Sequence, residues 1–295
     1  LFPVQNATIV SSGLVYNATD FYHLGKWYFE KEVGKHSLHS RPLPVEGDEY
    51  ISIVQIWQDS FQHLSFDTYP RAVYMCEFLM QYQGYKIVAM GTLQIEIFRL
   101  ACELPSSRFR IYKNSFSART IYIPTFEKSY PMGIYSEESI KSAGPQLNQG
   151  DLVIYMPRSK GRRDVENERE VIEVLLQIFG RKLYICHPTD AWTDQIQIFS
   201  EAQIIIGPHG GAFGNMILAP VNTTVIEFHD IRALMKAREN SRPCYLGLAR
   251  ALGFTYYNFE PENFTFGGSM WIDTTKLREF LQVVKHDLSS SDPKW

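Results

Sequence analysis

Between Asp151 and His286 the chain alternates short apolar runs with stretches of helical periodicity, and no other feature restricts its fold as tightly. Asp151 to Met156, Arg181 to Cys186, Gln203 to Ile206, Thr224 to Phe228 and Phe254 to Phe259 read as strands, the most apolar of them suited to burial on both faces. Asn167 to Phe179 carries Val171, Leu175 and Ile178 at helical spacing. Thr193 to Ala202 reads as a helix capped by Thr193, Tyr245 to Leu252 as a helix stopped by Gly253, and Thr274 to His286 as a last helix. Strand–helix–strand order implies right-handed crossovers and a mostly parallel sheet. Ligands of such sheets bind beyond the carboxyl ends of the strands, so the loops that follow strands are the expected place of a ligand.

The first half is less regular. Tyr50 to Trp57 reads as a strand, followed by helical patterning from Ser60 to Gln83 that Pro70 interrupts. Lys86 to Ala89, Leu93 to Cys102 and Phe109 to Tyr112 make a further strand–helix–strand unit. Turn-forming residues cluster at Ser142 to Pro145 and Asn148 to Gly150 and mark a linker. With 295 residues, more than one hydrophobic core usually organises, the chain divides into two α/β domains, 1–145 and 146–295.

The net charge of −3, without a polybasic run, argues against nucleic acid as a partner. No stretch is long and apolar enough to span a bilayer. The chain starts at Leu1, which leaves room for an N-terminal membrane anchor outside it. Cys76, Cys102, Cys186 and Cys244 have no metal-ligand spacing, and Cys76 and Cys102 fall on helix faces expected to be buried, where free thiols are common. Of ten asparagines, Asn6, Asn17, Asn222 and Asn263 are each followed by x-Thr, the acceptor pattern for N-glycans. That density favours the secretory pathway.

Three constellations carry chemistry. In Ile204-Ile-Ile-Gly-Pro-His-Gly-Gly-Ala-Phe-Gly-Asn215 a strand runs into a glycine-rich turn and a helix expected to start near Ala212. Gly210 and Gly211 let backbone approach a ligand, a helix start offers N–H groups to a diphosphate, His209 can donate to a phosphate oxygen, and Asn215 can lock the turn or reach the ligand. Without Gly-Lys-Ser/Thr it is not a P-loop. The loop Pro157-Arg-Ser-Lys-Gly-Arg-Arg163 gathers four cations after a strand, with Arg158 closest to the strand end. Guanidinium groups there suit a departing diphosphate, although a solvated basic loop is the ordinary meaning of such a run. In Gln55 to Arg71, Asp59 and His63 are four residues apart, so a helix would put them on one face, and Asp67 follows. A carboxylate beside an imidazole makes a candidate general base, against the plainer reading of a helix cap and a half-buried histidine. Tyr184, His187 and Trp192, around a neighbouring strand end, are candidates for a nucleotide base. No Asp-x-Asp pair appears; Asp164-Val-Glu166 is the nearest.

These blocks together resemble glycosyltransferase family 61. The likeness runs from Asp59-Ser-Phe-Gln-His63 and Pro70-Arg71, through Arg158, Arg163 and Asn167-Glu168, to Asp194-Gln195, His209 to Asn215 and Val225-Ile-Glu227. His209, Gly210 and Asn215 agree with the family's pattern, while Gly211, Ala212, Phe213 and Gly214 depart from it. The resemblance implies the GT-B fold, two Rossmann-like domains facing a cleft: 1–145 on the acceptor side and 146–295 on the nucleotide-sugar side. It implies inverting, metal-independent transfer from a UDP-sugar, GlcNAc or xylose leading, to a glycan or glycoprotein hydroxyl, with no cofactor. Donor contacts would fall on Arg158, Arg163, His187, Trp192, His209, Gly210, Gly211, Asn215 and Glu227, and the base on His63, Asp59 or Asp67. The matching location is the endoplasmic reticulum or Golgi lumen, as a trimmed type II membrane protein. Two rivals are a sugar-nucleotide epimerase of the same architecture and a non-catalytic glycan-binding pseudoenzyme.

Overall fold

A computed structural model describes residues 2–10, 14–22, 46–52, 68–89, 91–123, 150–187, 190–230, 244–264 and 268–291. The chain forms two compact α/β units, residues 1–143 and 144–295.

The first unit is built from β1 (Phe2–Val10), β2 (Val15–Tyr16), β3 (Phe21–Tyr22), β4 (Glu46–Ser52), α1 (Tyr69–Gln81), β5 (Lys86–Ala89), α2 (Thr92–Cys102), β6 (Phe109–Ile111) and β7 (Ser115–Ile123). Its strands lie in one sheet in the order β3-β2-β1-β7-β4-β5-β6. From β7 to β6 the neighbours are parallel, but β1, β2 and β3 add an antiparallel flank. The sheet is therefore mixed, where two parallel-sheet domains were expected. The flank is anchored by β1 pairing with β7 from Phe2↔Ile123 to Val10↔Ser115, a long-range match no local pattern announces. Pro70 lies in the first turn of α1, where a missing N–H costs nothing, and the part of the expected helical pattern from Ser60 to Asp67 lies outside the described residues.

Helices α1 and α2 pack on the sheet through Ala72, Met75, Leu79, Phe98 and Cys102, against Ile51 and Ile87. Cys76 and Cys102 do not remain free thiols: they form a disulfide between the two helices, with Cα atoms 5.2 Å apart. Arg108 is buried and donates to the carbonyls of Leu79, Tyr82 and Tyr85 at 3.1, 3.2 and 2.8 Å. It thereby satisfies the carboxyl end of α1 and the turn into β5.

The second unit contains β8 (Leu152–Tyr155), α3 (Glu168–Phe179), β9 (Leu183–Ile185), α4 (Trp192–Ser200), β10 (Ala202–Pro208), a 3-10 helix (Gly211–Leu218), β11 (Thr224–Phe228), α5 (Cys244–Leu252), β12 (Thr255–Phe259), the short pair β13 (Asn263–Phe264) and β14 (Met270–Trp271), and α6 (Thr274–Ser291). The five-stranded sheet has the order β12-β11-β10-β8-β9 and every pairing is parallel. Val171, Val174, Leu175 and Phe179 of α3 and Leu277, Leu281 and Val284 of α6 cover Ile204, Ile206, Ile226 and Phe228 on one face. Side chains buried this completely contribute about 1.5–3 kcal/mol each before chain entropy is counted. Two local expectations change. Helix α4 starts at Trp192 with Ala191 before it, so Thr193 sits in its first turn and bonds Asp194 (3.4 Å) instead of capping. The segment after the glycine turn is a 3-10 helix.

Candidate functional site

In the second unit the chain runs from β8 outward to β9 and then crosses to β10 on the other side of β8. That reversal between β8 and β10 opens a crevice at their carboxyl ends, the general ligand position of open α/β sheets. Met156-Pro-Arg158 leaves one strand there and Pro208-His-Gly210 leaves the other. Arg158 lies across the gap: its Nε donates to the Arg162 carbonyl (2.7 Å) and its Nη1 to the His209 carbonyl (3.2 Å). Gly210 is needed for this approach, since a Cβ there would stand 1.4 Å from Arg158 Nη1. At Gly207 a Cβ would fall 2.7 Å from the Met156 carbonyl, so glycine also lets the two strand ends close up.

The basic loop is folded. Gly161 (φ +81°) and Arg163 (φ +59°) make left-handed turns, and the Asp164 carboxylate accepts from the Gly161 N–H (2.9 Å) and the Ser269 hydroxyl (2.8 Å). These hydrogen bonds hold the Asp164 carboxyl below its usual range although burial opposes them. Asp164 thus serves the loop's own conformation. Burial, then the charges of Arg163 and Arg162, hold the Arg158 guanidinium below its ordinary value, the signature of cations crowded together. Such a cluster favours an anion.

His209 follows β10 as His229 follows β11. Pro208 pairs with Phe228, and the two following imidazoles stack with centroids 4.3 Å apart and planes 20° apart. Tyr245 of α5 approaches the His209 ring edge-on at 5.1 Å and donates its hydroxyl to the Gly210 carbonyl (2.6 Å). Behind them lies Glu227, fully buried on β11, whose two carboxylate oxygens bond His209 Nδ1 and the Tyr256 hydroxyl. Burial, reinforced by the neighbouring His209, pushes His229 down to about 4.

The remaining sequence candidates spread outward from this centre. Asn215 is buried in the 3-10 helix and donates to Gln195 Oε1 (2.8 Å), while Gln195 donates to the Asp190 carbonyl (2.8 Å), so it locks the turn onto the start of α4. Gly211 opens the 3-10 helix and Trp192 opens α4. His187 is exposed, its backbone N–H bonded to the Asp190 carboxylate (2.7 Å), and Tyr184 is exposed on β9. Asn167 bonds both the carbonyl and N–H of Ile272 (2.8 and 3.1 Å), and Glu168 accepts from Tyr155 (3.0 Å). Asp59, His63 and Asp67 lie outside the described residues.

Sequence reasoning missed His229, Tyr245 and Tyr256. His229 was within reach, because it occupies the same strand-end position as His209. Tyr256 and Asn258 also carried a signal, as polar residues two apart on a parallel strand, a spacing that puts both on one face.

A cluster of cations at the strand ends of an open parallel sheet suits enzymes that handle phosphorylated or nucleotide-linked substrates. The profile described as Glycosyltransferase 61 matches residues 61–226, more than half of the chain, and the chain belongs to that family of glycosyltransferases. No curated protein gives a significant match to it.

Proposed function

We propose that this glycosyltransferase uses a UDP-sugar, GlcNAc or xylose leading, and transfers the sugar with inversion to a glycan or glycoprotein hydroxyl without a metal ion. The observation that carries the reading is Arg158, folded onto the glycine turn at the switch point between β8 and β10. There the diphosphate meets Arg158, Arg163, His209 and the N–H groups that start the 3-10 helix, and these neutralise charge as UDP departs. His187, Trp192 and Tyr184 are the candidates for the uracil side. Inversion requires a base for the acceptor hydroxyl, which the proposal assigns to His63, oriented or replaced by Asp59 or Asp67. The GT-B arrangement of the two units, with acceptor side 1–145 and donor side 146–295, belongs to the same proposal.

The Cys76–Cys102 disulfide and four acceptor sequons support a lumenal setting in the endoplasmic reticulum or Golgi, since disulfides persist in oxidising compartments.

Thermal shift against a panel of nucleotide sugars, followed by assays of UDP release with and without acceptor, tests the reading. UDP-sugars should stabilise the protein, release of UDP should depend on acceptor, and EDTA should leave most activity. A new sugar nucleotide formed from donor alone would replace transfer by epimerisation, and glycan binding without UDP release would make the chain non-catalytic.

A further inference from the structure

Glu227 stands where an apolar side chain would be expected. Its strand reads Thr-Val-Ile-Glu-Phe, all five residues are buried, and Glu227 has no exposed surface. A buried carboxylate is poor value for stability, because desolvation consumes most of what its partners return. Its two oxygens are nonetheless both engaged, one by His209 Nδ1 and the other by the Tyr256 hydroxyl. We propose that Glu227 and Tyr256 are positioning residues that fix the direction of His209 and supply the countercharge of its protonated ring, so that its Nε2 is the nitrogen presented to the donor diphosphate.

The two nitrogens of the His209 imidazole lie on opposite sides of the ring, so a bond that holds one of them directs the other. With Nδ1–H committed to Glu227, Nε2 has no partner among the described residues. Ring rotation is blocked on one face by His229, stacked at 4.3 Å, and at the edge by Tyr245 at 5.1 Å. The backbone holds the ring as well: the His209 N–H donates to the Phe228 carbonyl (3.1 Å) and Tyr245 binds the adjacent Gly210 carbonyl. An Nε2–H donated to a phosphate oxygen makes His209 an imidazolium, and the Glu227 carboxylate is its countercharge. Tyr256 holds that carboxylate in one orientation. His229, kept neutral by burial, adds a stacking surface without a second positive charge. Glu227 therefore acts through His209 and touches no substrate.

The inference rests on the donor-site reading above, and one set of full-chain variants separates the two: His209→Ala, Glu227→Gln, Tyr256→Phe and the double variant His209→Ala with Glu227→Gln. Glutamine keeps the shape and can accept from Nδ1–H, so Glu227→Gln should melt near the wild-type temperature while binding UDP about tenfold more weakly. The low-field proton resonance of a carboxylate-bound imidazole should be present in wild type and lost in Glu227→Gln. Tyr256→Phe removes one hydroxyl only and should weaken UDP binding by a smaller factor in the same direction. In the His209→Ala background, Glu227→Gln should change UDP affinity no further, since its effect passes through the missing ring. Additive losses in the double variant, or unaltered UDP affinity in both single variants of Glu227 and Tyr256, overturn the positioning role. If His209→Ala itself binds UDP as wild type does, the donor-site reading fails instead.

Discussion

The two units solve one packing problem in different ways. In the second, the five-stranded sheet is wholly parallel and its central strands, β10 and β11, are buried at every residue. In the first, four parallel strands are extended by an antiparallel flank, and the two described helices are tied together by a disulfide. The second unit relies on a continuous apolar core and carries Glu227, His209 and His229 at the carboxyl ends of its central strands. The first spends cross-links and buried hydrogen bonds on its own architecture. Polar groups that look alike in sequence thus do different work in the two units.

The largest expected break in this comparison comes from the disulfide. Closing a loop with a sequence separation of 26 residues is worth about 3.5 kcal/mol in the chain-entropy account. Replacing Cys76 and Cys102 together by serine should lower the stability of the first unit by about that amount. Hydrogen exchange resolved by peptide is the measurement: protection should fall across α1, α2 and β5 and stay unchanged in β8, β10 and β11. Mild reductant should act likewise, because the described free cysteine, Cys186, is buried in the second unit. Equal loss of protection in both units would show that the disulfide does not belong to the first unit alone.

Two arginines sharpen the contrast. Arg108 and Arg158 both donate to backbone carbonyls, but Arg108 satisfies three around a helix end and Arg158 bridges two loops at a crevice. Arg108→Met keeps the stem and takes the donor from three carbonyls, of which that of Leu79 is buried, so a loss of about 3 kcal/mol in urea unfolding is expected, with UDP affinity unchanged. Arg158→Ala should show the opposite pattern, with UDP binding weaker by about 1.5–3 kcal/mol in titration calorimetry and little loss of stability. A single pattern for both variants would erase the distinction between framework and site.

Acid tests the strand-end cluster. His229 is held at about 4 in the folded chain, against an ordinary 6.5, mainly by burial. Below 6.5 the unfolded chain takes up a proton that the folded chain refuses until about 4, so this stability is full above 6.5 and drains away as pH falls toward 4. The slope approaches about 1.4 kcal/mol per pH unit well below 6.5 and is half that at 6.5, so the loss between pH 6.5 and 5 is about 1.6 kcal/mol. The unfolding free energy from urea titrations at these two pH values should fall by that much in wild type and by clearly less in His229→Phe. An identical pH response in the variant would assign the acid sensitivity elsewhere.

What could be read from the sequence follows the same division. Strands β8, β10 and β11 were legible because parallel strands buried on both faces are local apolar runs, helices α3, α5 and α6 because their apolar residues recur at helical spacing, and the crossover rule then arranges them. The meeting of Arg158 with Gly210 was half legible: strand-end position marked each loop, but the switch point that joins them depends on strand order. The antiparallel flank was not legible, since β1 finds β7 more than a hundred residues away. Nor was the disulfide, because Cys76 and Cys102 become neighbours only when α1 and α2 pack side by side. Glu227 was marked by resemblance, yet its burial behind His209, and so its indirect action, depended on the register of β10 with β11.

The smallest effect compares one interaction made twice. Tyr155 donates to Glu168 at 3.0 Å in the second unit, and Tyr122 donates to Glu49 at 3.3 Å in the first. Tyr155 is fully buried beneath the amino end of α3, whereas Tyr122 and Glu49 are only half-buried. Burial raises the Glu168 carboxyl above its usual range and the Tyr155 bond partly offsets it, so this hydrogen bond stabilises a charge that water reaches poorly. Tyr155→Phe should therefore cost about 1 kcal/mol at pH 7, and Tyr122→Phe only a few tenths of that, because water replaces the lost partner at the more open site. The two losses should also differ in pH dependence. Glu168 binds its proton more tightly folded than unfolded, so its ionisation works against the fold as pH rises through the carboxylate range. Removing the Tyr155 hydroxyl, which favours the ionised form, should widen that penalty. Urea midpoints at pH 4 and 7 measure both: the deficit of Tyr155→Phe should be smaller at pH 4 than at pH 7, where the carboxylate is charged. A deficit of Tyr155→Phe that is as large at pH 4 would mean the hydroxyl serves packing rather than the Glu168 charge.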